Sequence, residues 1–148
     1  MRLPQIIIME NDGTIAVQLK PLATDHRWLL REPRQAPACL EMLRTARPAV
    51  LVSRLGRHLL RELTLLDQVC TEAPDVPVLV VLDTDDLVLM SIVFELGATY
   101  VLMPPASRKI LPSLVESMLL AQIRRSQQEL RSILPPTPTP AGESDDAD

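Results

Sequence analysis

Residues 77–105 read PVLVVLDTDDLVLMSIVFELGATYVLMPP. Val78 to Leu82 is an unbroken aliphatic run of strand length, the mark of a strand buried on both faces. Asp83-Thr84-Asp85-Asp86 ends it with turn-forming and capping residues. Residues 85–96 then read as a helix with acids at its positive end, closed by Gly97. Tyr100-Val101-Leu102-Met103 is the next strand, stopped by Pro104-Pro105.

The same alternation extends upstream. Ile6-Ile7-Ile8-Met9 is a short buried strand ended by Glu10-Asn11-Asp12-Gly13. Residues 14–24 place Ile15, Leu19 and Leu22 at helical spacing, with Pro21 expected to weaken or kink the helix. Trp28-Leu29-Leu30 is a brief second strand. Residues 37–46 form a helix with Pro37 in its first turn and Leu40, Leu43 and Ala46 on its apolar face. Ala49-Val50-Leu51-Val52 is the third strand, followed by Ser53-Arg54. A helix follows over 58–70, with Leu59, Leu63, Leu66 and Cys70 as its repeat. Downstream, Ser107 caps a long last helix over about 107–134. Ile110, Leu111, Leu114 and Met118 would cover the sheet. The order is five βα units, and short apolar strands alternating with amphipathic helices imply a parallel sheet covered on both faces.

The chain has 148 residues, enough for one domain, here 1–134, with a core that needs no disulfide or metal. Residues 135–148, rich in Pro and Thr and then acidic, read as a disordered tail. Net charge is −4, and four of the acids, Glu143, Asp145, Asp146 and Asp148, lie in that tail, leaving the rest formally neutral. No basic block with interleaved aromatics argues for nucleic acid; Arg54, Arg57 and Arg61 read as a solvated helix face. No apolar run approaches a membrane span and no signal segment begins the chain, so a cytoplasmic protein is expected. Cys39 and Cys70 read as buried or half-buried apolar side chains, and His26 and His58 have no ligand at metal spacing. No Gly-rich phosphate loop and no nucleophile elbow is present. The expectation is a non-enzyme with no metal and no cofactor.

In parallel sheets chemistry sits beyond the carboxyl ends of the strands. There stand Glu10-Asn11-Asp12, Ser53-Arg54, Asp83-Thr84-Asp85-Asp86 and Pro104-Pro105. The acids could bind a hard cation through oxygens, or serve as turn formers and caps.

These segments resemble response-regulator receiver domains of two-component signalling. Residues 6–12 are similar to the family's I-L-I-V-E-D-D opening, and 48–55 to P-D-L-V-L-L-D-L. Residues 77–82 resemble P-V-I-V-L-T, and Glu95-Leu96-Gly97-Ala98 through Pro105 resembles E-L-G-A-x-x-Y-L-x-K-P. The likeness covers roughly residues 5–121. It implies a flavodoxin-like α/β fold with strand order 2-1-3-4-5, and a face from the fourth helix to the fifth that meets protein partners.

The family's chemistry is not carried over. Receivers hold magnesium on an acidic pair, phosphorylate an aspartate, contact the phosphoryl group with a hydroxyl and neutralise it with a lysine. Glu10 matches the first acid, but the second falls on the neutral Asn11. The phosphoacceptor falls on Arg54, or on Ser53 with a slip of one. The hydroxyl falls on Leu82, on Asp83 with the same slip, or on Thr84 with a slip of two. The lysine falls on Pro104, and the fifth strand's aromatic on Val101, with Tyr100 beside it. Pro105 does match, and in receivers that proline follows a cis bond. Arg54 is expected to pair with Glu10, Asp12 or Asp83 in place of a metal, and Pro104 leaves no cation waiting for phosphate. The expected function is a non-catalytic receiver-like module acting through protein partners. Two rivals stay open: a phosphorelay receiver with an atypical acceptor, Asp83 or Ser53, and a structural oligomer subunit. A homodimer contact is expected along Leu119, Ile123, Leu130 and Ile133 of the last helix, where the spacing approaches a heptad seam.

Overall fold

The computed structural model describes residues 3–46 and 48–133. The elements are β1 Gln5–Met9, α1 Thr14–His26, β2 Leu29–Arg31, α2 Ala36–Thr45, β3 Ala49–Leu55, α3 Leu59–Glu72, β4 Val78–Leu82, α4 Leu87–Leu96, β5 Tyr100–Leu102, a 3₁₀ turn Arg108–Ile110 and α5 Leu111–Ile133. The five strands form one sheet in the order β2-β1-β3-β4-β5, all parallel. The fold is the flavodoxin-like α/β arrangement expected from the sequence.

Side-chain alternation divides the core into two layers. Ile6, Ile8, Val50, Val52, Leu79 and Val81 face α1 and α5, meeting Ile15, Leu19, Val115 and Leu119. Ile7, Leu51, Val80 and Leu82 face α2, α3 and α4, meeting Leu43, Leu66, Val69 and Val93. Both faces of β1, β3 and β4 are thus covered, which is why these strands read as continuous aliphatic runs. Cys39 is buried and Cys70 half-buried; burial pushes the Cys39 thiol up to about 12.

Several expectations shift. β3 runs three residues past Val52, because Ser53, Arg54 and Leu55 pair with Val80, Val81 and Leu82 of β4. Ser53 and Arg54 are therefore strand residues on opposite faces rather than a strand end. α1 continues through Pro21 to His26: Ile15, Leu19 and Ala23 are buried on either side of the proline and hold the helix to the sheet. α3 docks through Leu65, Leu66 and Val69; Leu59 is exposed, so the helix is rotated from the expected face. α4 begins at Leu87, with Asp86 accepting from the Leu89 N–H at 3.0 Å. Gly97 follows it at φ 119°, where an added Cβ would meet Cys70 Sγ at 2.8 Å. The last helix starts later than expected, at Leu111, after the 3₁₀ turn capped by Ser107. The Pro104-Pro105 peptide is cis.

The last helix also docks further along its length than expected. Leu111, Val115, Leu119 and Gln122 are its buried residues. Gln122 Nε2 donates to the carbonyl of Asp75 at 3.0 Å, carrying the contact onto the loop before β4. Leu119 is fully buried and Ile123 packs on the same core. Leu119 thus belongs to the domain interior and is not available to the expected dimer contact, whereas Ile123 is partly buried and Leu130 and Ile133 are exposed. Fully burying one such leucine stabilises by about 1.5–3 kcal/mol, which fixes Leu119 in place. The expected tail, 135–148, lies outside the described residues.

Candidate functional site

The carboxyl edge of the sheet gathers five charged side chains, Glu10, Asp12, Arg54, Asp83 and Arg108. The first four sit on or just after their strands, and Arg108 comes from the 3₁₀ turn before α5. β1 ends at Met9, so Glu10 and Asp12 lie in the turn before α1. Glu10 spends both oxygens on that helix: Oε1 accepts from the Ile15 N–H and Oε2 from the Ala16 N–H, each at 2.9 Å. It caps the first turn of α1 and neutralises part of its positive end. Asp12 Oδ1 accepts from Thr14 N at 3.1 Å and Thr14 Oγ1 at 2.9 Å. Its other oxygen, Oδ2, accepts from Arg54 Nη1 at 2.7 Å.

Arg54 is the centre of the cluster. On β3 it points to the side opposite Ser53, and it reaches three neighbours. Besides Asp12, Nη1 donates to Thr14 Oγ1 at 3.2 Å. Nε donates to Asp83 Oδ1 at 3.1 Å. The same Asp83 oxygen accepts from Nη2 of Arg108. Two carboxylates and two guanidiniums thus tie together the ends of β1, β3 and β4 and the turn before α5. A cleft of about 280 Å³ opens beside them, lined among others by Asn11, Asp12, Arg54 and Asp83.

The electrostatics follow from these bonds. Asp12 is held well below the usual carboxylate range, first by the Thr14 N–H and hydroxyl and then by Arg54. Partial burial alone would lower the Arg54 pKa, but hydrogen bonds to Asp83 and Asp12 reverse it and hold the guanidinium charged.

The remaining candidate residues divide by position. Asn11 is exposed and lines the cleft. Ser53 is buried on the other face of the sheet, and Leu82 is buried in the α2–α4 layer. Thr84, Pro104 and Pro105 are exposed. Sequence reasoning missed Arg108. The receiver's lysine position falls on Pro104, which has no side-chain charge, so no cation is expected from that residue. Arg108 instead reaches back to Asp83 from the 3₁₀ turn beyond the cis bond. The one available signal was the length of an arginine side chain just after the Ser107 cap.

Comparison with known proteins bears on the fold. No protein-family model matches the sequence, and neither does any curated protein. Solved structures do match. The CheY-like response regulator receiver domain protein of Methanospirillum hungatei JF-1 superposes at TM-score 0.68 and 16% identity, over 83% of this chain and 98% of its own. The signal receiver domain of an HD domain-containing protein from Pseudomonas fluorescens Pf-5 gives 0.68 at 20%, over 83% and 99%. The N-terminal signal receiver domain of a Bacteroides fragilis two-component system response regulator gives 0.66 at 18%, over 79% and 97%. The fold is that of a receiver domain. At these identities the likeness is one of fold, and it does not carry function.

The magnesium that the receiver resemblance implies does not fit these residues. Glu10 is turned onto two backbone N–H groups, Asn11 is neutral, and Asp12 faces a guanidinium. Among the described residues no three His, Cys, Asp or Glu side chains gather as a ligand set. A cation seated between Asp12 and Asp83 would have to displace Arg54, which already neutralises both.

Proposed function

We propose that this receiver-like domain is a non-catalytic signalling module, related to phosphorelay components, that acts through protein contacts without being phosphorylated. The observation that carries this reading is the Arg54 cluster. Phosphoryl transfer to a receiver is mostly positioning and charge neutralisation, with a metal bridging the oxygens. Arg54 stands on β3 where the acceptor carboxylate belongs, and its charge occupies the metal's place.

The atypical acceptors are less well supported. Ser53 is buried on the far face of β3, and Asp83 is already engaged by Arg54 and Arg108. A solvated signalling domain also needs a contact surface. α4 reads LVLMSIVFEL, yet Val93 is its one fully buried residue. Leu87, Val88, Ile92 and Phe94 are exposed, with Tyr100 of β5 beside them. An apolar helix left in solvent marks an interaction surface, and protein partners would meet the module there. No described helix is long and apolar enough to cross a membrane, and a cytoplasmic role accords with that.

Magnesium titration of the amide spectrum tests the reading. The resonances of Asn11, Asp12 and Asp83 are expected to stay fixed as magnesium rises through the millimolar range. Saturable shifts at those three residues would contradict a pocket closed by Arg54.

A further inference from the structure

On the other face of β3 a second cleft, of about 340 Å³, opens between the ends of β1 and β3 and the first turns of α2 and α3. Here the connections from neighbouring strands diverge to opposite faces of the sheet, which leaves a crevice at the carboxyl edge. Its rim carries Arg34, His58 and Arg61, and Met9 and Leu65 line it with apolar surface. Two acids are also present, but neither serves the rim. Glu10 caps α1, and Glu62 Oε1 accepts from the Gly56 N–H at 2.8 Å. The side chains of Arg34, His58 and Arg61 have no ion-pair or hydrogen-bond partner among the described residues. The lining is mixed in charge, with Arg34 and Arg61 set against two carboxylates that are already turned onto backbone N–H groups, so an anion would be held by directed donors rather than by net charge.

Two further features point to an anion. The N-caps of α2 and α3, Gln35 and His58, both line the cleft and make no side-chain cap hydrogen bond. The N–H groups of Leu59, Leu60 and Arg61, ahead of the Glu62 N–H that donates to the His58 carbonyl, carry partial positive charge and have no acceptor among the described residues. Ser53, 4% exposed, forms part of the wall, and its hydroxyl has no hydrogen-bond partner among the described residues. A buried hydroxyl without a partner is costly, and a ligand oxygen would satisfy it.

We propose that this cleft binds a small organic phosphate. Arg34, Arg61, the N-terminus of α3 and the Ser53 hydroxyl take the phosphate, and Met9 and Leu65 take the less polar remainder. Two guanidiniums, a hydroxyl and helix N–H groups suit a group with several acceptor oxygens. The volume lies at the low end of small-molecule sites, which run from about 300 to 1,000 Å³, so the ligand is no larger than about a mononucleotide.

Calorimetry and amide shifts on the full chain test this with glycerol 3-phosphate, adenosine 5′-monophosphate, inorganic phosphate, glycerol and adenosine. Saturable binding of at least one organic phosphate is expected, with shifts at Ser53 and the first turn of α3. Inorganic phosphate should bind more weakly, and the uncharged glycerol and adenosine not at all. Arg61→Gln and Arg34→Gln, at exposed positions, should each weaken binding about tenfold or more, the worth of a charge-assisted hydrogen bond. Ser53→Ala should weaken it while keeping the fold. Arg44→Gln, whose native side chain is held by Glu72 away from the cleft, should leave affinity unchanged. Absence of saturable binding by both organic phosphates, equal affinity for inorganic phosphate, or binding indifferent to Arg34 and Arg61 would each overturn the proposal.

Discussion

Arg54 Nη1 lies 2.7 Å from Asp12 Oδ2, joining the third strand to the loop that follows the first. The two residues are 42 positions apart in sequence. With Asp83 at 3.1 Å from Nε, the guanidinium bridges loops that in a phosphorylatable receiver would converge on a metal. The cluster adds side-chain ties between these loops to the backbone pairing of β1, β3 and β4.

A double-mutant cycle should measure that bridge. Arg54→Gln and Asp12→Asn are expected to show a small favourable coupling in urea unfolding, as exposed ion pairs do. High salt should shrink the coupling. A coupling indistinguishable from zero at low salt would mean that the pair contributes nothing to stability.

Acid should remove the same contribution in a defined window. The folded-state pKa of Asp12 is lowered by Thr14 and Arg54. Its stabilisation is therefore complete above the ordinary Asp range, near about 4, and is lost as pH falls through the folded value. The urea midpoints of the wild type and Asp12→Asn should differ by a constant amount from neutral pH down to about 5 and converge below about 4. A gap that widens in acid would contradict the assignment.

The fold was legible because its signals are local and redundant. Val78–Leu82 is a strand by its aliphatic run alone, and it forms with the expected bounds. Edges were less legible. β3 extends to Leu55 because β4 supplies partners, and nothing in Ser53-Arg54 announces strand. The rotation of α3 and the deep docking of Leu119 are set by packing, which a helical repeat narrows to a face but does not fix. In the site, Arg54 could be placed only through the receiver-like stretch 48–55, with Ser53 as the alternative if the strand slips by one. Arg108 could not, since its reach to Asp83 depends on how the chain turns after Pro105. Glu10 was assigned to the pocket by position, yet its carboxylate is claimed by the backbone of α1.

Substitutions on the last helix separate interior from surface. Ile123→Glu should lower the melting temperature by several degrees, because a charge would enter the packed layer with α1. Leu130→Glu, at a position 57% exposed, should stay within about 0.5 kcal/mol of wild type. Equal destabilisation by both would place Leu130 in a buried contact, which sedimentation of the two variants would then identify as self-association.

Restoring the acceptor alone should not restore phosphorylation. Arg54→Asp would set a third carboxylate beside Asp12 and Asp83, but Glu10 would still cap α1 and Asn11 would still be neutral. Exposure to acetyl phosphate and magnesium is expected to leave this variant unlabelled. Efficient labelling would show that the remaining pocket is competent and that Arg54 alone blocks it.

The unmodified protein gives the most direct test. It is incubated with acetyl phosphate and magnesium, and its intact mass is read before and after hydroxylamine. The account predicts an unchanged mass, because no acceptor carboxylate stands at position 54 and Arg54 occupies the pocket. A gain of one phosphoryl group that hydroxylamine removes would contradict it.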